Sequence, residues 1–324
     1  MPGFATHYLF GISTMQKQKH TPLYAQIRRH PTVYGLGLQG PDIFFYYLPS
    51  YFSRRENPGV AAHGEKTGRF LYHLMEGRKI FTDKEDLAIA SAYIAGFLGH
   101  YTLDTTCHPY VYGRTHYDPD DSSYFGRHVY LETDIDAFLL AQYKKQLPSA
   151  FHQERTIQLY RNECRVVAAL LQYAYAKVFP ELQLSYHSMY AAIRFMAFAV
   201  WVLYDPQGKK KALTRLAEKK IIGFAYASPL IASDDLRFTT DPMNLQHKMW
   251  RNPWKKSDAS RDSFFDLMHQ AKMIYQKRLA LCEKLFNYDT CNGQPFPDRQ
   301  SCRAHRADLK KELGNRSYSS GLEL

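Results

Sequence analysis

Histidine and carboxylate residues recur at a spacing of four in two stretches of this chain. His100, Asp104 and His108 follow one another in GHYTLDTTCHP, and His128 and Glu132 repeat the spacing in RHVYLETDID. Four residues are a little over one helical turn, so side chains at this spacing share one face of a helix. Imidazole nitrogens and carboxylate oxygens together form a ligand set that suits zinc or a similar divalent metal.

A purely structural hydrogen-bond network is the alternative to a metal site. One histidine–carboxylate pair on a helix is weak evidence for a metal, because such pairs often only share a hydrogen bond. Two neighbouring pairs, the first extended by His108, are harder to explain in that way. Asp104 also lies deep in an apolar stretch, where an unpaired carboxylate is costly unless protons or a metal neutralise it. We therefore favour a metal site.

The elements that must position these residues are helices. Apolar residues recur at helical spacing over 84–104, with Asp83 placed as N-cap or first-turn acid and Pro109 closing the C-terminal end. No series of short alternating strands and no repeat is present, so we predict an all-α fold of many helices. Further helices are expected over 128–146, 154–178, 186–204, 209–226 and 260–287.

Composition limits the partners of this 324-residue chain. A net charge of +11 and a pI near 9.2 favour acidic partners such as phosphate esters, anionic lipid surfaces or nucleic acid, although a basic surface also aids solubility on its own. The five cysteines are scattered and form no CxxC pair. Neither a disulfide framework nor a thiolate zinc site is therefore indicated.

Nothing in the sequence indicates a targeting or membrane-spanning segment. The first residues, MPGFATHYLFG, lack the features of a secretory signal. The longest apolar run, 191–204, is too short to span a membrane and contains Arg194. We expect a cytoplasmic protein with no transmembrane segment, and secretion by another route stays open.

Five stretches together resemble the zinc-dependent phospholipase C family, whose relatives include the single-strand-specific zinc nucleases. The resemblance covers positions 1–136, and the C-terminal half shows much less of it. It implies a largely α-helical fold that binds three zinc ions. The stretches are THYLFG (6–11), GPDIFFYY (40–47), AAHGEKTG (61–68), GHYTLDTTCHP (99–109) and FGRHVYLETDID (125–136).

The resemblance also implies a set of metal ligands. Asp42, His63, His100 and Asp104 would bind one zinc ion, and His108, His128 and Glu132 a second. A third ion would bind His7 and Asp104, with Asp104 bridging two ions, and His73 is the alternative to His63. The family's N-terminal tryptophan, which binds zinc, is replaced here by Met1 and Pro2. We therefore expect two or three zinc ions.

The reaction implied is metal-assisted hydrolysis of a phosphodiester, most naturally the glycerol-side P–O bond of a phospholipid. Zinc would polarise the phosphoryl group and acidify water, and Asp42 would orient the attacking water or act as general base. A nuclease acting on single strands would use the same site, but no base-recognition pattern is visible, so nucleic acid is the less favoured substrate. A helical binding protein with structural zinc is the alternative outside the enzymes.

Two aromatic stretches suggest contacts with substrate or membrane. Phe44 and Tyr46 are candidates for a headgroup pocket, where aromatic faces attract a quaternary ammonium, and core packing is the alternative for these rings. Trp250 and Trp254 stand among lysines and arginines. That combination suits peripheral contact with an anionic membrane or stacked bases, and a packed loop is the simpler reading.

We divide the chain into three parts. Residues 1–180 are expected to form the metal-binding helical domain, and 181–290 a helical C-terminal extension packed on it. The polar stretch 291–324 is expected to be a mobile tail. The lysines of 209–211 and 219–220 are expected to lie on solvated helix faces.

Overall fold

The computed structural model confirms the all-α fold. It describes residues 3–16, 19–225, 227–234, 241–289 and 299–324. The helices in these ranges are α1 (Phe4–Met15), α2 (Pro22–Arg29), α3 (Pro31–Gly37), α4 (Ile43–Tyr46), α5 (Pro58–Gly64), α6 (Thr67–Gly77), α7 (Lys84–Arg114), α8 (Tyr124–Lys144), α9 (Arg161–Val178), α10 (Tyr186–Leu203), α11 (Lys209–Ile221), α12 (Phe264–Asp289) and α13 (Arg299–Leu313). Two short strands, β1 (Trp250–Asn252) and β2 (Lys255–Ser260), pair antiparallel.

Helix α7 is the central element, and it is longer than the sequence predicts. Asp83 caps its start as expected, because its carboxylate accepts hydrogen bonds from the amides of Glu85 and Asp86. Pro109, however, lies inside the helix and does not end it. An interior proline costs about 3 kcal/mol. Tyr110 and Val111, which follow it, are completely buried. Their burial offsets that cost, since each such side chain contributes about 1.5–3 kcal/mol.

Helix α3 packs backbone to backbone against α7. A Cβ atom on Gly37 would lie 2.3 Å from the carbonyl oxygen of Tyr93, and one on Gly96 would lie 2.3 Å from that of Tyr34. Glycine is therefore required on both sides of this crossing. The close approach brings the segment after α3, which contains Asp42, against the middle of α7.

The start of α1 is held by a side chain from α8. The Asp136 carboxylate accepts hydrogen bonds from the amides of Ala5 and Thr6, at 2.9 and 2.7 Å, and from the Thr6 hydroxyl at 2.5 Å. The carboxylate thus accepts hydrogen bonds from amides that have no carbonyl partner within the helix, because they lie in its first turn. A Cβ on Gly3 would lie 2.4 Å from this carboxylate. The contact fixes α1, and hence His7, relative to α8.

The remaining predicted helices are present with shifted bounds. Helices α8, α10, α11 and α12 overlap the predicted 128–146, 186–204, 209–226 and 260–287, with small displacements at their ends. Helix α9 begins seven residues later than the predicted 154. The Glu163 carboxylate accepts a hydrogen bond from the Tyr160 amide and so caps α9 at that point. None of the described helices is long and apolar enough to cross a membrane.

The strand pair packs its tryptophans against α7. Trp250 is buried, with its ring 5.5 Å from that of Tyr110. Trp254 is partly exposed and lies 4.8 Å from the ring of Tyr112 and 4.9 Å from that of Tyr117. These contacts fit the packed loop that the sequence allowed.

The end of the chain differs from the mobile tail that the sequence predicts. Residues 291–298 lie outside the described residues. Leu309 and Leu313 of α13 are buried, and Tyr318 beyond them is buried completely. The Tyr101 hydroxyl donates a hydrogen bond to the Leu313 carbonyl at 2.8 Å. These buried apolar residues hold the polar segment on the core, and the average composition of the segment does not reveal them.

Candidate metal centre

The eight predicted ligands lie together at the middle of α7. Their potential ligand atoms form three groups, and within each group the atoms lie within 4.8 Å of one another. Seven of the eight residues are buried, and His63 is partly buried. Five of the eight come from α7 and α8, and the others from α1, α5 and the segment after α3. The groups are His7–Asp42–His100, His63–His100–Asp104 and His108–His128–Glu132.

Asp104 belongs to the second group and also contacts His7 of the first. One carboxylate oxygen lies 3.1 Å from Nε2 of His7, and the other lies 3.1 Å from Nε2 of His100 and 3.8 Å from Nε2 of His63. Burial by itself raises the pKa of Asp104, but His100, His108 and His7 outweigh it and hold this pKa well below its usual value. The carboxylate is therefore ionised and faces imidazoles on several sides.

Asp42 is brought into contact with the same cluster by a tight turn. Its Oδ1 atom lies 3.2 Å from Nε2 of His63 and 3.9 Å from Nε2 of His100. Gly40 precedes it with a φ of 53°, and a Cβ there would lie 2.2 Å from the His100 ring. Only glycine fits that backbone and that space. Burial raises the pKa of Asp42 to about 7, so this carboxyl titrates near neutral pH.

The third group lies between α7 and α8. Nε2 of His128 lies 2.8 Å from the Glu132 carboxylate, and Nε2 of His108 lies 3.6 Å from the same oxygen. His108 also approaches Asp104 through its Nδ1 atom, at 3.8 Å, which joins this group to the other two. These three residues are the set that the resemblance assigns to the second zinc ion. The set assigned to the first ion is spread over the other two groups.

Four of the five histidines make a hydrogen bond through Nδ1 that turns Nε2 toward the carboxylates. Such an outer contact fixes the tautomer and orientation of a metal-binding imidazole. Three of the partners are backbone carbonyls and one is a hydroxyl. The contacts are His63 to the Gly59 carbonyl at 2.6 Å, His100 to that of Leu38 at 3.1 Å, His108 to that of Tyr318 at 2.9 Å, and His128 to the Tyr124 hydroxyl at 2.9 Å.

The donor set fits divalent zinc. Both oxygens of Asp42 and of Asp104 and both ring nitrogens of His7 are buried without a hydrogen-bond partner among the described residues. Burial lowers the pKa of His7, His63 and His128 to about 4, so these rings are neutral at pH 7 and offer lone pairs. Buried polar atoms in such numbers are costly unless something binds them. Neutral imidazoles and carboxylates are the ligands that zinc takes.

A cleft of about 940 Å³ reaches the centre from outside. Glu132 lines it directly, together with Tyr46 and Asp136. Phe44 does not, because it is 1% exposed and packs edge-on against Tyr175, with the ring centroids 5.3 Å apart. Of the two rings predicted for a substrate pocket, Tyr46 therefore borders the cleft and Phe44 belongs to the core. The cleft also has basic side chains in its walls, among them Arg114, Lys211, Arg215 and Lys248.

Three contributors to the centre escaped sequence reasoning. Asp136 positions α1, and Tyr124 orients His128. Tyr318 supplies a carbonyl to His108 and places its ring 4.6 Å from that of His63. Tyr124 carries a detectable signal, since it lies four residues before His128 on the same helix. The other two act over more than a hundred residues of sequence. His73, the alternative to His63, belongs to none of the three groups.

Comparison with known proteins gives a family match over the part of the chain that contains the three groups. A family model described as zinc dependent phospholipase C matches residues 6–187, more than half of the chain, and this range contains all eight predicted ligands. Neither a curated protein nor a solved structure matches the chain. Helices α11, α12 and α13 and Tyr318 lie beyond the matched residues.

Proposed function

The chain belongs to the zinc-dependent phospholipase C family, and on that premise we propose that it is a zinc-dependent phosphodiester hydrolase that releases phospholipid headgroups. The observation that supports the proposal most is the set of inward-facing imidazole and carboxylate atoms that meet beside a cleft. A structural zinc site is closed by its protein ligands, whereas a catalytic one needs room for water and substrate. Glu132 faces such room directly.

We assign the eight residues as ligands of two or three zinc ions. His108, His128 and Glu132 would hold the ion nearest the cleft, and the residues of the other two groups would hold the rest. When bound, zinc supplies Lewis acidity that polarises a phosphoryl oxygen and brings the pKa of water toward neutral. The outer hydrogen bonds of the imidazoles keep Nε2 unprotonated and turned inward.

Asp42 is our candidate for the proton acceptor. Its carboxylate meets the other ligands through Oδ1, at 3.2 Å from His63, while Oδ2 has no hydrogen-bond partner among the described residues. We assign Oδ2 as the atom that orients the attacking water and takes its proton. Tyr46, at the rim of the cleft, would contact the headgroup. The water oxygen would bond to phosphorus as the P–O bond on the glycerol side breaks. The diacylglycerol oxygen would take a proton from solvent, and Asp42 would release to solvent the proton that it accepted.

Metal analysis combined with turnover tests the proposal. Untagged full-length protein is expected to hold two or three zinc ions per chain and to hydrolyse a soluble short-chain phosphatidylcholine, with loss of turnover after chelation and recovery on adding zinc. Glu132→Gln and Asp104→Asn should lower both zinc content and turnover. His73→Gln is the matched control, because His73 lies outside the three groups, and it should change neither.

The outcomes separate the competing functions. Turnover of single-stranded DNA in preference to the lipid would favour the nuclease reading of the same site. Tightly held zinc without hydrolysis of any phosphodiester would favour a structural role for the metal. Full activity in both Glu132→Gln and Asp104→Asn would refute the assignment of the site.

A further inference from the structure

Helix α11 presents polar residues to the protein and apolar residues to solvent. Lys211 and Glu218, seven residues apart, are buried, whereas Leu213, Leu216 and Ile221 are 70%, 60% and 80% exposed. A surface helix of a globular protein normally has the opposite arrangement. The sequence prediction that Lys211 lies on a solvated face is therefore wrong, and the exposed apolar stripe calls for a partner.

Hydrogen bonds fix this orientation. The Glu218 carboxylate accepts from the amides of Ala227 and Ser228, the latter at 3.0 Å. The Asp205 carboxylate accepts from the amide of Lys211 at 2.9 Å, and the Lys211 ammonium lies over the ring of Tyr130. Turning the helix to bury its leucines would break these hydrogen bonds and leave the polar groups that make them without partners. The outward apolar face is thus built into the fold.

The end of α10 extends the same kind of surface. Phe198 and Trp201 are more than half exposed, and their rings lie 6.0 Å apart. Trp201 borders one shallow depression together with Lys209 and Lys210 of α11, so the ends of the two helices are adjacent. Exposed tryptophan beside lysine is typical of the boundary between water and lipid, where the indole sits among headgroups.

The exposed charged side chains that α10 and α11 contribute between residues 198 and 222 have one sign. The lysines of 209–210 and 219–220 are exposed. Asp205 and Glu218 are the acids between residues 198 and 222, and both point inward to accept amide hydrogen bonds. A second copy of the same face would be repelled by like charge, whereas an anionic lipid surface would be attracted, by about 1 kcal/mol for each lysine near the membrane.

We propose that the outer face of α10 and α11 docks on anionic phospholipid bilayers. This α10–α11 face consists of the apolar residues Phe198, Trp201, Leu213, Leu216 and Ile221 and the four exposed lysines. Helix α11 also contributes to the wall of the cleft, through Lys211 and Arg215. The proposed docking face and the cleft therefore share one helix. Only the role of docking, which is to bring the enzyme to its substrate, rests on the proposed function. Binding to vesicles itself needs no turnover.

Vesicle flotation tests the docking directly. Zinc-loaded full-length protein should bind phosphatidylcholine vesicles that contain phosphatidylglycerol, and high salt should weaken this binding. The double variant Leu213→Gln/Leu216→Gln should partition about tenfold less or lower still, since two apolar anchors are lost. Ile80→Gln/Met273→Gln is the matched control, because it replaces two exposed apolar residues on other elements, and it should bind like the unmodified protein.

Three results would overturn the inference. They are equal partitioning of the Leu213/Leu216 variant and the unmodified protein, absence of binding to the phosphatidylglycerol-containing vesicles, and a dimer in light scattering that the variant abolishes. Glutamine keeps a high helix propensity, so unfolding is not expected, and circular dichroism checks this. Turnover of a soluble short-chain substrate separately tests the proposed function. A protein that binds anionic vesicles but hydrolyses nothing would retain the docking face and refute the enzyme.

Discussion

Replacing Tyr124 with phenylalanine removes a single hydroxyl that orients a predicted zinc ligand. That hydroxyl lies 2.9 Å from Nδ1 of His128, whose Nε2 faces Glu132 at 2.8 Å. Because Nε2 must offer its lone pair to the metal, Nδ1 carries the proton and donates to the hydroxyl oxygen. In Tyr124→Phe this hydrogen bond is lost, and the imidazole is oriented less firmly.

The expected loss follows from what remains around the imidazole. Losing an outer partner of a metal ligand lowers metal affinity by about 10- to 100-fold. The His128 ring still packs against Tyr112, with centroids 4.7 Å apart, and this contact retains part of its orientation. We therefore expect the lower end of the range, about tenfold in Kd, which corresponds to about 1.4 kcal/mol.

Competition with a chromogenic chelator measures the stepwise zinc affinities. One of them should weaken about tenfold in Tyr124→Phe, and the others should be unchanged. Tyr117→Phe is the control, because Tyr117 belongs to the same aromatic cluster, 5.0 Å from the ring of Tyr124, and makes no side-chain hydrogen bond in the described residues. Unchanged affinities in Tyr124→Phe, or an equal loss in Tyr117→Phe, would refute the reasoning.

Three further predictions concern the same centre. Burial raises the pKa of Asp42 to about 7, so at lower pH zinc must displace a proton from this carboxyl. One apparent zinc affinity should therefore fall by up to about tenfold per pH unit below 7. Asp42→Asn should remove this slope in zinc titrations across pH, and a flat profile in the unmodified protein would contradict the prediction. Asp136→Ala leaves the amides at the start of α1 unpaired, so it should lower the free energy of unfolding of the metal-free protein, measured in urea, by about 1–3 kcal/mol. The control Thr133→Ala, on α8 like Asp136, should lower it less. Deleting residues 314–324 should lower one zinc affinity by about tenfold or more in the chelator assay, since His108 loses the Tyr318 carbonyl, and an unchanged affinity would show that this contact is dispensable.

Local spacing explains why much of the centre was predictable. The ligands on α7 and α8 are four residues apart, and helical geometry alone places such side chains on one face. The resemblance supplied His7, Asp42 and His63, which come from other elements and have no such spacing relative to α7. The apolar pattern of α7 likewise predicted its start at Asp83.

The misses arose where distant residues decide the local outcome. Pro109 fails to end α7 because burial of the following residues outweighs its local cost. Asp136 and Tyr318 reach their partners across 130 and 210 residues of sequence, so no local period reveals them. The orientation of α11 depends on amides beyond its own C-terminal end, and a lysine-rich helix viewed alone looks solvated on every side.

The same distant contacts bear on the predicted division at residue 180. The Tyr275 hydroxyl, on α12, donates to the Ala95 carbonyl of α7 at 2.6 Å and lies 3.1 Å from the Tyr34 hydroxyl. Tyr318 approaches both His63 and His108 from beyond the residues that the family model matches. Helix α7 carries three of the eight proposed ligands and packs against α12. The C-terminal helices therefore help to support the proposed metal centre. The contacts that orient the proposed ligands therefore extend across the predicted boundary at residue 180.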